Sequence, residues 1–125
     1  MSEFKTARMP VPPDPAPDGS LTYPLVRTER ASVGLIELEP GQVTSPVRHR
    51  SIEEVWYILQ GEGQLWRRLD VEEEITDLVP GTCVTIPPDT TFQFRATSDT
   101  SLQILMVTVP PWPGPAEAVP STGIW

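Results

Sequence analysis

Histidine is nearly missing from this chain of 125 residues: there is one, His49, and beside it one cysteine, Cys83. The first shortage excludes any metal centre built on three imidazoles, and the second leaves nothing for an internal disulfide to pair. Basic residues are scarce as well. Nine Lys and Arg stand against seventeen Asp and Glu, for a net charge of −8 and a pI near 4.5. A phosphate backbone needs clustered Lys and Arg, so nucleic acid is not an expected partner. The basic groupings, Arg48 with Arg50 and Arg67 with Arg68, read as solvated faces. No apolar run approaches the length of a membrane span, and MSEFKTARMP at the start lacks the apolar core of a signal peptide. These absences predict a cytoplasmic protein with no membrane partner. A lone Cys83 between Thr82 and Val84 fits a reducing compartment and reads as a buried strand residue.

Proline is abundant instead, with sixteen residues. Five fall in MPVPPDPAPDG, residues 9–19, and five more in PPWPGPAEAVP after Val109. Proline fixes φ and offers no ladder donor, so neither flank is expected to form a helix or a central strand. The chain therefore divides into a proline-rich arm at 1–20, a domain at 21–109 and a second arm at 110–125. The C-terminal arm carries Trp112, Val119, Ile124 and Trp125, apolar area enough to pack on the domain or on a second subunit.

Between the arms the residues alternate with a period near two, and no helical stripe is sustained. The pattern predicts strands at Leu21–Thr28, Ser32–Glu37, Glu54–Leu59, Gly63–Leu69, Glu72–Leu78, Cys83–Ile86, Thr91–Arg95 and Leu102–Val109. Turns separate them at Glu39-Pro40-Gly41, Gln60-Gly61-Glu62-Gly63, Val79-Pro80-Gly81 and Pro87-Pro88-Asp89. Many short strands with regular turns mean an all-β sandwich or closed barrel.

Two segments narrow this further. GQVTSPVRHRSIEEVWYILQG runs from Gly41 to Gly61, and GTCVTIPPDTTFQFRA from Gly81 to Ala96. In glycine spacing, in His49 and Glu54, and in Gly81 and Pro87, they resemble the two signatures of the cupin family. The resemblance implies a jelly-roll β-barrel and favours a homodimer. It also implies four metal-ligand positions, of which only His49 and Glu54 keep a donor. Val47 stands at the first histidine position, Phe92 at the third and Ala96 at the asparagine position. The expectation is accordingly no metal and no other cofactor, since two protein ligands leave a divalent ion mostly hydrated and weakly held.

Alternation then predicts a pocket. With His49 pointing inward, Val47 shares its face, Glu54 joins Trp56 and Ile58, and Phe92 joins Phe94, leaving Gln93 and Arg95 outside. Val47, Trp56, Phe92 and Phe94 would bind a small organic molecule in an apolar, aromatic mouth, with Trp56 as the stacking platform. Trp66 and Trp112 read as packing residues, and Asp70 with Glu72-Glu73-Glu74 as a solvated hairpin. His49 and Glu54 admit three explanations: a general acid–base pair for a metal-independent isomerase, epimerase, cyclase or lyase, polar anchors for a bound ring, or a satisfied buried pair. A metal-dependent oxygenase with a reduced ligand set is the least favoured alternative.

Overall fold

A computed structural model describes residues 3–125. Its strands are β1 (Asp14–Pro15), β2 (Leu21–Arg27), β3 (Ser32–Leu38), β4 (Val47–His49), β5 (Glu53–Gln60), β6 (Gly63–Leu69), β7 (Glu72–Leu78), β8 (Cys83–Ile86), β9 (Thr91–Ala96), β10 (Leu102–Val109) and β11 (Ala118–Pro120). They form two antiparallel sheets, one in the order β1-β2-β3-β10-β5-β8 and the other β11-β4-β9-β6-β7. All eight strands expected from alternation are present, with ends shifted by at most a residue. Among the described residues no helix is long and apolar enough to cross a membrane.

β5 shows how the residue pattern makes the barrel. Glu54, Trp56 and Ile58 are buried while Val55, Tyr57 and Leu59 are exposed, so one strand face supplies the core and the other the surface. The inward face meets Ile104 of β10, Leu65 of β6 and Phe94 of β9, all fully buried. Each such side chain contributes about 1.5–3 kcal/mol on leaving water. At the barrel's closed end Gly61 sits at φ 79°, and a Cβ there would stand 2.5 Å from the carbonyl oxygen of Ser101. Only glycine fits both the left-handed conformation and the close backbone approach.

Three short strands were not evident from the sequence. β4 is three residues long, too short for periodicity to reveal. β1 and β11 lie within the proline-rich arms, and both occupy sheet edges, where a missing ladder donor costs nothing. β11 pairs with β4, bringing Ala118 opposite His49 and Pro120 opposite Val47. A single turn of 3-10 helix, Pro115–Glu117, precedes it.

Cys83 corrects an expectation: it is exposed rather than buried, because it lies on the outer face of the edge strand β8, where Val84 and Ile86 take the inward positions. The acidic hairpin is exposed as expected, with Glu73 accepting a hydrogen bond from Nε1 of the fully buried Trp66 at 2.6 Å.

Gln93 faces outward as expected, and its surroundings were not foreseen. It does point away from the barrel interior, yet only 2% of it is exposed, because the C-terminal arm crosses it. Its amide nitrogen donates to the carbonyls of Thr44 (2.8 Å) and Trp125 (3.1 Å). Its Oε1 accepts from the backbone N–H groups of Ile124 and Trp125, each at 3.0 Å. Two donors and both acceptor sites are thus used. The guanidinium of Arg95 covers the Trp125 ring at 4.2 Å. Replacing the Gln93 amide leaves several buried backbone groups unpaired, so Gln93→Ala is expected to lower stability by about 2–3 kcal/mol. A urea midpoint unchanged from the parent would show that the arm does not dock through this side chain.

Candidate functional site

One end of the barrel opens into a cavity of about 650 Å³. β4 sends Val47 and His49 into it, β5 sends Glu54 and Trp56, and β9 sends Phe92. Val47 and Phe92 are register partners across β4 and β9, so these neighbouring strands of one sheet present hydrocarbon to the cavity at this level. Phe94 does not reach the cavity. Two residues further along β9 and paired with Leu65, it packs behind the site with its ring 4.9 Å from that of Trp56. Trp56 forms the floor, and 1% of it is exposed.

The arms complete the enclosure. Asp18 and Ser20 of the N-terminal arm, and Trp112 of the C-terminal arm, line the same cavity. Trp112, expected only to pack, is half-buried and lies edge-on to the His49 ring at 5.3 Å, while Phe92 meets that ring from another side at 5.1 Å. Asp18 is held by its neighbour: Oδ1 accepts from the Ser20 N–H at 3.0 Å and from the Ser20 hydroxyl at 2.6 Å.

The polar groups are only partly satisfied. Trp56 Nε1 donates to Glu54 Oε1 at 2.8 Å. The other oxygen, Oε2, faces Nδ1 of His49 at 3.6 Å, too far for a hydrogen bond, and that buried Nδ1 has no partner. Burial raises the Glu54 pKa to about 8; the Trp56 hydrogen bond opposes the rise and the charge of Asp18 adds to it. Burial lowers that of His49 to about 4, against the pull of Glu117. Near neutrality the pair is an uncharged imidazole beside a protonated carboxyl. Burial also raises the pKa of Asp18, partly offset by its bonds from Ser20.

Glu117 organises the loop between the two inward residues. Its Oε1 accepts from the backbone N–H groups of Ser51 and of Ile52, the latter at 2.9 Å, and both its oxygens accept from the Ser51 hydroxyl. Burial alone would raise its pKa, but these bonds and the nearby His49 hold it below the usual carboxylate value. The C-terminal arm therefore fixes the corner that joins His49 to Glu54.

Could this arrangement hold a divalent ion? Val47 and Phe92 present hydrocarbon where donors are needed, and among the described residues no three His, Cys, Asp or Glu side chains gather to hold an ion. The residues present do not fit a metal of the kind expected at the cupin positions.

A family model for the cupin domain matches residues 34–108, more than half of the chain, and the protein belongs to that family. No curated protein matches it in sequence. Among solved structures it is similar to an uncharacterised double-stranded β-helix protein of Klebsiella pneumoniae (17% identity, 98% of this chain and 100% of that one, TM-score 0.71). It is also similar to KdgF from Halomonas sp. (19% identity, 86% and 94% covered, TM-score 0.68). Oxalate decarboxylase from Bacillus subtilis matches at 15% identity over 96% of this chain, with a TM-score of 0.81, but the chain spans only 32% of that protein. At these identities the likeness is one of fold.

The opposed shifts of His49 and Glu54 give a pH signature. His49 favours the fold above its unfolded pKa near 6.5 and loses that advantage as pH falls toward about 4. Glu54 does so below its unfolded pKa near 4.5 and loses it as pH rises toward about 8. The two oppose each other below pH 6.5, and above it Glu54 acts with His49 silent. Stability should therefore fall between pH 6.5 and 8, by about 1 kcal/mol per pH unit. Glu54→Gln should flatten the slope; urea midpoints that are already flat in the parent would contradict the shift.

Proposed function

We propose that this protein is a small-molecule binding module whose ligand occupies the cavity between the arms, without a tightly held metal. The observation that carries the reading is enclosure. Trp112 and Asp18, from opposite ends of the chain, close over a largely apolar chamber in which His49 Nδ1 has no partner and Glu54 accepts a single hydrogen bond, on Oε1. A buried acceptor or donor left open costs about 1–3 kcal/mol, which a bound molecule would recover. The lone exposed thiol of Cys83 supports a reducing, cytoplasmic setting.

A second reading is metal-independent acid–base catalysis. It is supported by the 3.6 Å approach of an uncharged imidazole to a carboxyl that keeps its proton near neutrality. In that reading Glu54 gives a proton and His49 takes one, as an isomerase or lyase requires. A base with a pKa near 4 is weak, which is why binding is preferred. The decarboxylation of oxalate, named for the Bacillus subtilis relative, finds less support, because the inner cavity presents carboxyls to what would be an anion.

The outer face of β5 supports a homodimer. Val55, Tyr57 and Leu59 are exposed there, beside Leu105 and Val107 of β10, and neither arm covers them. A second copy of the chain is the occupant proposed. Tyr57→Glu should then halve the mass seen by light scattering; a parent that is already monomeric would dispose of the dimer.

For the cavity, native mass spectrometry of freshly purified protein is expected to reveal a bound organic molecule, and elemental analysis no stoichiometric transition metal. Trp112→Ala should weaken affinity for the recovered molecule more than His49→Gln, which removes one hydrogen bond worth about 0.5–1.5 kcal/mol. If His49→Gln instead abolishes turnover of that molecule with affinity intact, the catalytic reading replaces the binding one.

A further inference from the structure

The charge inside the cavity is one-sided. Three carboxyls line it, those of Asp14, Asp18 and Glu54, against one guanidinium, Arg27. Asp14 and Arg27 are exposed at its rim, whereas 3% of Glu54 is exposed and among the described residues no Lys or Arg forms an ion pair with it. Buried carboxyls in proteins ordinarily find a cation or a full set of donors. Glu54 has one donor, Trp56 Nε1 on Oε1, and Oε2 is left facing an imidazole nitrogen that also has no partner. A single N–H group entering the 3.6 Å gap region from the cavity side would answer both atoms. The walls around it are Trp112, Phe92 and Trp56, surfaces that attract cations through their ring faces and pack well against an apolar body.

We propose that the molecule this cavity takes is a small organic cation, an amine whose ammonium donates to Glu54 Oε2 and His49 Nδ1 within the field of Asp18, with its apolar body against Trp112 and Phe92. The inference rests on the small-molecule reading above and specifies its chemistry. Asp18 becomes a specificity residue supplied by the N-terminal arm, with Oδ1 fixed by Ser20 and the second oxygen free to face the ligand. Glu54, which keeps its proton near neutrality on its own, releases it to solvent when the ammonium settles beside it; an anion would hold that proton in place and meet the carboxyl of Asp18, and a neutral molecule of the same shape would fill the space without drawing out the charge.

The test compares three molecules of one size and shape that differ in charge: phenethylamine, 2-phenylethanol and phenylacetate. Each is titrated calorimetrically into the full-length protein at neutral pH. The amine is expected to bind at least about tenfold tighter than the alcohol, the increment of a charge-assisted hydrogen bond, with phenylacetate weakest of the three. Asp18→Asn and Glu54→Gln should each weaken the amine about tenfold and leave the alcohol within about twofold. Asp18 is only half-buried, so its variant keeps the test open should Glu54→Gln fold poorly. Equal or tighter binding of the alcohol, or preference for phenylacetate, overturns the cation assignment while leaving a binding cavity in place. If none of the three binds, the cation assignment is likewise overturned. Binding of the neutral dye N-phenyl-1-naphthylamine, and its loss in Trp112→Ala, then separately decides whether the cavity takes organic molecules at all.

Discussion

A carboxyl buried without a counter-cation sets the terms for everything around it. Glu54 sits on β5, paired on both sides in its sheet, opposite Thr108 of β10 on one side and Ile86 of the edge strand β8 on the other, where the backbone ladder forbids it to swing toward water. With the backbone fixed, relief must come from the side chain's own surroundings. One hydrogen bond from Trp56 provides part of it, and retention of the proton provides the rest. The consequence reaches the neighbours. Trp56 is committed to that bond and cannot turn its indole nitrogen toward a ligand, and His49 stays uncharged because burial outweighs the pull of Glu117.

The arms convert this buried pair into an enclosed site. Without them, the end of the barrel carrying His49 would face solvent, and the burial that moves both pKa values would shrink. The C-terminal arm acts through three separate attachments: β11 on β4, the tail across Gln93, and Glu117 on the loop at Ser51 and Ile52. The N-terminal arm acts through the β1–β2 hairpin and the bond from Ser45 N–H to the Asp18 carbonyl. Proline suits both roles. Its fixed φ lowers the entropy lost when an extended segment is laid on a surface.

Most of the barrel was legible in the sequence because strand alternation and glycine turns are local signals. Leu21 to Val109 could be divided into strands from period-two patterning alone, and the spacing of Gly41, His49, Glu54 and Gly61 marked His49 and Glu54 as inward-facing even though β4 itself was too short to see. Val47, His49, Glu54, Trp56 and Phe92 follow from the same alternation. Phe94 shows its limit, since period two gives the side of a sheet but not the depth along a strand. The burial of Gln93 and the exposure of Cys83 lay beyond it for a related reason: whether an outward residue meets water depends on what crosses over it, which is a long-range fact. Asp18, Trp112 and Glu117 belong to that category too. Each lies in a proline-rich flank with no periodicity, and its role exists only once the arm has folded back. Asp18-Gly19-Ser20 does carry a turn signal, and the Ser20 bonds to Asp18 are its realisation.

Glu117 ties these strands of argument together. Its carboxylate stays ionised, because four donor contacts from Ser51 and Ile52 outweigh its burial, and it pulls the His49 pKa upward while Glu54 sits on the other side as a neutral acid. His49 is therefore flanked by two carboxyl groups of opposite protonation state, one structural and one facing the cavity. The structural one is satisfied by backbone donors and has no capacity left for a ligand. The cavity-facing one has an open oxygen. That division of labour leaves the open polarity of the cavity between Oε2 of Glu54 and Nδ1 of His49, where an incoming molecule meets both atoms at once.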